Sequence, residues 1–311
     1  MGNKKGITIG THNGVFHADD VLAVAALLVM WPNARVIRTR HQETLDACDI
    51  VVDVGGAYIP EKYRFDHHQR GGAGERENGV PYSSFGLVWK RYGSRVCRII
   101  CGIEGPKLGE PSQLAERVDG ALVMAIDASD NGKHLIDGVP AFEGAQSQSL
   151  SRVIAGFNPL WDDEQQLFDI AFQGAVEFAQ GVLKRQVLAS ASELRAVSEF
   201  TEACLAHGSG VAVLERFLPW AYNGTKVPED ILYVVYPSSN GETWMVQCVP
   251  PKPGSFEQRK PLPEAWAGLR DDVLGEVCGV KDAVFCHNGR FIGGAKSRAG
   301  ALDMAFAAAA A

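Results

Sequence analysis

Residues 6–20 read Gly6-Ile7-Thr8-Ile9-Gly10-Thr11-His12-Asn13-Gly14-Val15-Phe16-His17-Ala18-Asp19-Asp20, and this stretch decides the fold. Ile7 and Ile9 give residues 6–10 the alternation of a short strand, which runs into the polar loop 11–16. A helix is predicted from about Ala18, with Asp19 and Asp20 in its first turn and apolar residues through Leu28. Further strands are expected at residues 35–39, 50–52 and 63–65, each ending near a Gly, Pro or acidic signal. Strands alternating with helices imply a mostly parallel sheet.

Downstream, residues 83–92 carry a helical pattern. Leu114, Val118, Ala121, Leu122, Ala125 and Ile126 recur at helical spacing and place Asp127 at the C-terminal end of a second helix. Residues 142–151, rich in Ser, Gln and Gly and leading to Asn158-Pro159, read as a hinge. A long helical block over 163–200 comes next. Beyond it, strands near 211–217, 231–236 and 243–249 alternate with turns such as Ser239-Asn240-Gly241, and aromatic and β-branched residues become more frequent. The expected fold class is therefore α/β with two domains. Residues 1–150 are expected to form a mostly parallel domain, 151–200 a helical linker, and 201–311 a smaller α/β domain. The alanine-rich tail 305–311 carries no readable chemistry.

A chain of 311 residues with 46% apolar content can bury a large core. Its longest apolar run, residues 21–31, is about half the ~20 residues needed to cross a bilayer, so no membrane span is expected. The N-terminus shows no secretory apolar region, and Gly6 stands where a myristoylation signal needs Ser or Thr, which favours a cytoplasmic location. Seven scattered cysteines without a CxxC pair argue against a disulfide framework or a zinc ribbon. The net charge of −7 disfavours docking along a nucleic-acid backbone, so a nucleic-acid substrate would be gripped locally, at an end. Acidic metal ligands are a second source of that charge, because bound cations reverse the local field.

The informative His and Asp residues fall at the ends of the expected elements. His12, His17, Asp19 and Asp20 follow the first strand, Asp53 follows Ile50-Val51-Val52, Asp66, His67 and His68 follow Tyr63-Arg64-Phe65, and Asp127 and Asp130 follow the Leu114 helix. Loops at the carboxyl ends of strands converge in one crevice of an open α/β sheet. Singly, Asp53 reads as a turn former, His67-His68 as a surface or core pair, and Asp130-Asn131-Gly132 as a turn. Jointly they read as a metal site. Imidazoles and carboxylates without thiolates suit manganese first, with magnesium or cobalt as alternatives.

Near the end of the chain, Gly293-Gly294 is flanked by Arg290, Lys296 and Arg298, which together could hold a phosphate or could be a tight turn with solvated charges. No GxGxxG, Gly-Lys-Ser/Thr phosphate loop or GxSxG elbow is present.

Asp66-His67-His68 and its flanking motifs resemble the DHH phosphoesterase superfamily and, more closely, the melanocyte proliferating gene family of metal-dependent hydrolases. The resemblance runs through His12-Asn13-Gly14-Val15-Phe16-His17-Ala18-Asp19-Asp20, Asp53-Val54-Gly55-Gly56, Ser83-Ser84-Phe85-Gly86, Asp127-Ala128-Ser129-Asp130, Leu262-Pro263-Glu264-Ala265-Trp266 and Phe291-Ile292-Gly293-Gly294. It implies a two-domain DHH-like enzyme that binds two manganese ions through His12, Asp19, Asp53, His67 and Asp127, with His68 against the scissile phosphate. The general DHH first motif spaces His-x3-Asp-x-Asp, whereas this chain is one position longer and has His17 in place of an Asp. His17 therefore joins the expected ligands, and its share of the work relative to Asp19 and Asp20 stays open.

The resemblance further implies 3′-to-5′ exonuclease activity on RNA or short oligonucleotides. Asp53 is expected to bridge the two ions and His68 to stabilise charge on the phosphoryl oxygen. Arg290, Gly293, Gly294, Lys296 and Arg298 are the expected substrate contacts. A small-molecule pyrophosphatase or phosphatase and a metal-binding protein without turnover are the alternatives. The assembly state is left open, a homodimer included.

Overall fold

The structure is a computed structural model that describes residues 6–102, 111–133, 148–163, 165, 167–206, 210–220, 227–252, 255 and 257–311. The chain divides into two units, Met1–Ala191 and Ser192–Ala311, with the boundary inside one long helix, α7 (Phe168–Ala206). Residues 142–147 of the expected hinge lie outside the described residues; those after them lead into α6 (Leu150–Ala155).

The first unit holds a five-stranded sheet of order β2-β1-β3-β5-β4. Its strands are β1 (Thr8–Thr11), β2 (Arg35–Arg38), β3 (Ile50–Val52), β4 (Tyr58–Ile59) and β5 (Arg64–Phe65). All neighbours are parallel except β4, an antiparallel edge strand on β5. The chain leaves β1 towards β2 through helix α1 (Ala18–Met30) and later returns on the other side of β1 as β3. That reversal opens a crevice at the carboxyl ends of β1 and β3, the place where open α/β sheets bind ligands.

Helix α1 is apolar nearly all round, and its residues from Ala18 to Leu27 are buried, as expected of a helix packed into a core. Its main helical neighbour is α3 (Ser84–Cys101). Helix α2 (Gln42–Asp46) covers the opposite face of the sheet, where Leu45 and Cys48 pack on Val51. The single helix expected around Leu114 is instead α4 (Pro111–Val118), a π-helical stretch at 119–123 and α5 (Met124–Asp130). A π-turn inserts a residue and shifts the phase of the helix beyond it, and such bulges recur at functional sites.

The second unit has a sheet of order β6-β7-β8-β10-β9, built from β6 (Val211–Val213), β7 (Tyr233–Pro237), β8 (Trp244–Cys248), β9 (Ala283–Cys286) and β10 (Ile292–Ala295). Only β6 and β7 are parallel. Side chains alternate across it as the pleat requires. Tyr233 and Val235 join a core with Leu274 of α8 (Asp271–Cys278) and Met304 of α9 (Arg298–Ala310), whereas Val234 and Tyr236 face Phe200 and Cys204 of α7. Both units are mixed α/β. Among the described residues no helix is long and apolar enough to cross a membrane.

Candidate metal centre

Three adjacent parallel strands deliver the site. His12 follows β1 directly, Asp53 follows β3, and His67 lies two residues beyond β5. Asp53 takes a left-handed conformation, with φ of 56°. Such backbone in a residue other than glycine is uncommon, though Asp tolerates it better than most, and it concentrates at functional sites. Helix α1 supplies Asp19 and Asp20 from its first turn, and α5 ends on Asp130.

These side chains meet. His12 Nε2 lies 3.2 Å from Asp20 Oδ2 and 3.3 Å from Asp53 Oδ2. His67 Nε2 lies 3.5 Å from Asp53 Oδ1, 3.2 Å from Asp130 Oδ2 and 3.8 Å from Asp19 Oδ2. The two oxygens of Asp53 thus face two different imidazoles. Ligand atoms gather into three groups, His12–Asp20–Asp53, Asp53–His67–His68 and His17–Asp19–Asp130, each spanning no more than 4.8 Å.

The groups are close without being hydrogen-bonded to satisfaction. Both oxygens of Asp19, Oδ2 of Asp20 and Nε2 of His67 are buried and lack a hydrogen-bond partner. Buried polar atoms are costly when unpaired, so several such lone pairs aimed at one interior fit a cation. The electrostatics agree. Burial raises the Asp19 carboxyl well above its ordinary value, and the charges of Asp53, Asp130 and Asp20 add to the shift. Burial would lower His67, but its contacts with Asp130 and Asp53 outweigh this and raise it to about 10. For Asp53 burial acts upward, and the contacts with His12 and His67 reverse the shift to well below the carboxylate range. A divalent cation held by these residues would take over the balancing role of those protons, which its ligands must release.

His68 differs from its neighbour. Its Nδ1 is 2.7 Å from Asp66 Oδ1, and Asp66 Oδ2 accepts the Gly56 N–H at 2.6 Å. The contact with Asp66 raises His68 against the opposing effect of burial. With Nδ1 so held and the side chain 61% exposed, His68 lines the cavities beside the cluster.

The loop between His12 and His17 is fastened from two directions. Arg38, stacked on Phe172, donates from Nη2 to Gly14 O at 2.7 Å. Asn158 accepts from the Phe16 N–H at 3.0 Å and donates to Phe16 O at 2.9 Å.

Of the residues expected as ligands, the structure gathers His12, His17, Asp19, Asp53 and His67, and directs Asp127 elsewhere. Asp127 Oδ1 accepts from Ser83 Oγ at 2.6 Å and from the Gly86 N–H at 3.0 Å, and Arg76 Nη1 lies 2.7 Å from Oδ2. This carboxylate therefore caps the N-terminus of α3. Asp130, one turn later, takes the place beside His67, and Asp20 takes one beside His12. Both stand in the sequence among the acidic residues at element ends that jointly read as a metal site, although neither is among the expected direct ligands.

The cap has a cost for substitution at Gly86, where an added methyl would overlap the Asp127 carboxylate. Gly86→Ala is expected to destabilise the first unit by about 1–3 kcal/mol, the usual range for overpacking. Thermal melting checks it, and an unchanged midpoint would contradict the cap.

In the second unit Gly293 and Gly294 belong to β10, a strand paired on both sides, so they form no loop. Ladder pairing engages their backbone, and a Cβ would press on Phe285 O at 3.0 Å from Gly293 or on Trp244 O at 3.1 Å from Gly294. Packing thus accounts for both glycines. Lys296 and Arg298 follow the strand and are exposed, with Arg298 3.0 Å from Glu215. Arg290 precedes it in a left-handed turn.

A family model described as "MYG1_exonuc: Uncharacterised protein family (UPF0160)" matches residues 8–309. The human protein named MYG1 exonuclease is 36% identical over 322 residues, which cover 96% of this chain and 84% of the human one. A Schizosaccharomyces pombe MYG1 protein is 36% identical over 318 residues, 96% of each chain. A Caenorhabditis elegans MYG1 protein is 36% identical over 321 residues, covering 96% of this chain and 93% of its own. No solved structure matches. With nearly its whole length matched by the family model and by these relatives, the chain belongs to the MYG1 exonuclease family.

Proposed function

We propose that this protein is a metal-dependent phosphodiesterase that removes nucleotides 3′-to-5′ from the end of RNA or short oligonucleotides, using two manganese ions. The observation that carries the reading is the placement of Asp53, whose Oδ2 is 3.3 Å from His12 Nε2 and whose Oδ1 is 3.5 Å from His67 Nε2. One carboxylate is thereby shared by two ligand groups. His12 and Asp20 complete one group and His67 and His68 the other; His67 also faces Asp19 and Asp130, which with the exposed His17 form a third group beside them. The relatives' name, MYG1 exonuclease, supports nuclease chemistry over a pyrophosphatase.

When bound, a pair of divalent ions supplies Lewis acidity and lowers the pKa of water for an in-line displacement. The remaining work belongs to the protein. His12, Asp19, Asp20, Asp53 and His67 fix the position of the reacting phosphate through the buried cluster. His68, oriented by Asp66, donates a hydrogen bond where charge builds on the phosphoryl oxygen. Arg38 and Asn158 keep the His12–His17 loop from drifting. In the second unit the side chains of Arg290, Lys296 and Arg298 contact substrate phosphate or ribose, while Gly293 and Gly294 serve the strand that carries them. A cytoplasmic setting belongs to the same reading, supported by a scattered cysteine pattern without a CxxC pair.

The test is a screen of the chelated and metal-resupplied protein on short RNA, short DNA, pyrophosphate and cyclic dinucleotides. Stepwise shortening of RNA, lost on chelation and restored better by manganese than by magnesium, is expected. Full activity after exhaustive chelation, or hydrolysis of pyrophosphate alone, would overturn the reading.

A further inference from the structure

Beside the metal centre lies a cavity of about 560 Å³, within the usual range for ligand sites and larger than a pair of ions requires. One wall is the cluster itself, represented by Asp19, His67 and Asp130. A second part of the wall comes from α6 and its cap, through Ser149, Ser151 and Arg152. That second wall holds no residue of the three ligand groups.

We propose that Ser149, Ser151 and Arg152 form a subsite for a second phosphate of the substrate, the one adjacent in the chain to the phosphate being cleaved. The proposal rests on the phosphodiesterase reading and narrows it to substrates with more than one phosphate. Three observations carry it.

First, the chemistry of the wall suits an anion. Arg152 is the one Lys or Arg among the described residues lining the cavity, and the two serines bring hydroxyl donors. The carboxylates that line it, Asp19 and Asp130, belong to the metal wall. A guanidinium can grip a phosphate through two parallel N–H groups.

Second, the wall is built to face the cavity. Ser149 caps α6 by accepting the Arg152 N–H at 3.2 Å, Ile154 is fully buried beneath, and residues 151, 152 and 155 share the face that lines the cavity.

Third, the wall is tied to the metal loop. The Asn158 amide, three residues past α6, pairs in both directions with the backbone of Phe16, between His12 and His17. The separation between the two walls is therefore set by protein hydrogen bonds. A substrate with a single phosphate is held by the cluster alone; a nucleotide chain spans both walls.

The experiment uses the full manganese-loaded chain, wild type and Arg152→Ala, on two probes: an RNA tetranucleotide and bis(p-nitrophenyl) phosphate, which has one phosphate. Loss of a charge-assisted contact is expected to raise KM for the tetranucleotide at least about tenfold more than KM for the single-phosphate probe. Arg152→Lys should recover part of the loss, and bound manganese should not change. A parallel arm measures fluorescence anisotropy of a phosphorothioate tetranucleotide that resists cleavage, with at least about tenfold weaker binding expected for Arg152→Ala. Equal effects on both probes, unchanged tetranucleotide binding, or loss of manganese from the variant would overturn the subsite. Failure of wild type to hydrolyse either probe would instead count against the phosphodiesterase reading, and the binding arm would still decide whether Arg152 holds a phosphate.

Discussion

Asp53→Asn is expected to lower kcat by at least ~10²-fold while leaving the fold intact, because it removes the one carboxylate that both ligand groups share. Asn is nearly the same size and is among the residues that best tolerate the left-handed conformation, so φ of 56° at this position survives the change. The Ser84 hydroxyl, which donates to Asp53 Oδ1 at 3.0 Å, keeps an oxygen acceptor in one orientation of the amide. What is lost is a negative charge set between His12 and His67 and the ability of both side-chain atoms to bind a cation. Kinetics, thermal melting and metal content on the same preparation separate the possibilities. A variant that folds, melts normally and turns over near the wild-type rate would remove Asp53 from the mechanism.

The second large effect is expected at His67. Its Nε2 lies within 3.8 Å of three carboxylates, more than any other imidazole of the cluster reaches, and is buried without a hydrogen bond. Removing it leaves Asp19 and Asp130 without the imidazole that faces them, and Asp53 with only His12 and His68. His67→Ala should therefore lose at least ~10²-fold in kcat together with bound metal. His17→Ala provides the contrast. His17 is exposed and belongs to neither group that contains Asp53, so its removal should leave metal at the Asp53 groups and reduce kcat less than His67→Ala does. Equal losses from the two variants would place His17 in the same coordination set as His67.

How much of this can be read from the residues varies with the element. The alternation at Ile7 and Ile9, joined to the apolar run after Asp20, makes β1 and α1 legible, and with them the positions of His12 and Asp19. Asp53 and His67 are legible because short apolar strands end just before them. Asp127 and Asp130 are harder to separate. They lie three residues apart on one helix, and only the tertiary fold shows that the first caps α3 through Ser83 and Gly86 while the second reaches His67. The π-helical stretch at 119–123 has no marker in a hydrophobic period. β10 escapes sequence reading for a different reason: its glycines inside a strand mimic a turn, and the backbone crowding from Phe285 and Trp244 that requires them is a long-range contact. The α6 wall is hidden as well, since residues 142–151 read by composition as a hinge.

The central claim is that two ions share Asp53, and the most direct measurement is metal stoichiometry combined with electron paramagnetic resonance on the manganese-loaded protein. The account predicts two manganese ions per chain whose spins are exchange-coupled, with the coupling lost in Asp53→Asn. A fully active protein with one ion per chain, or with two magnetically independent ions, would contradict it.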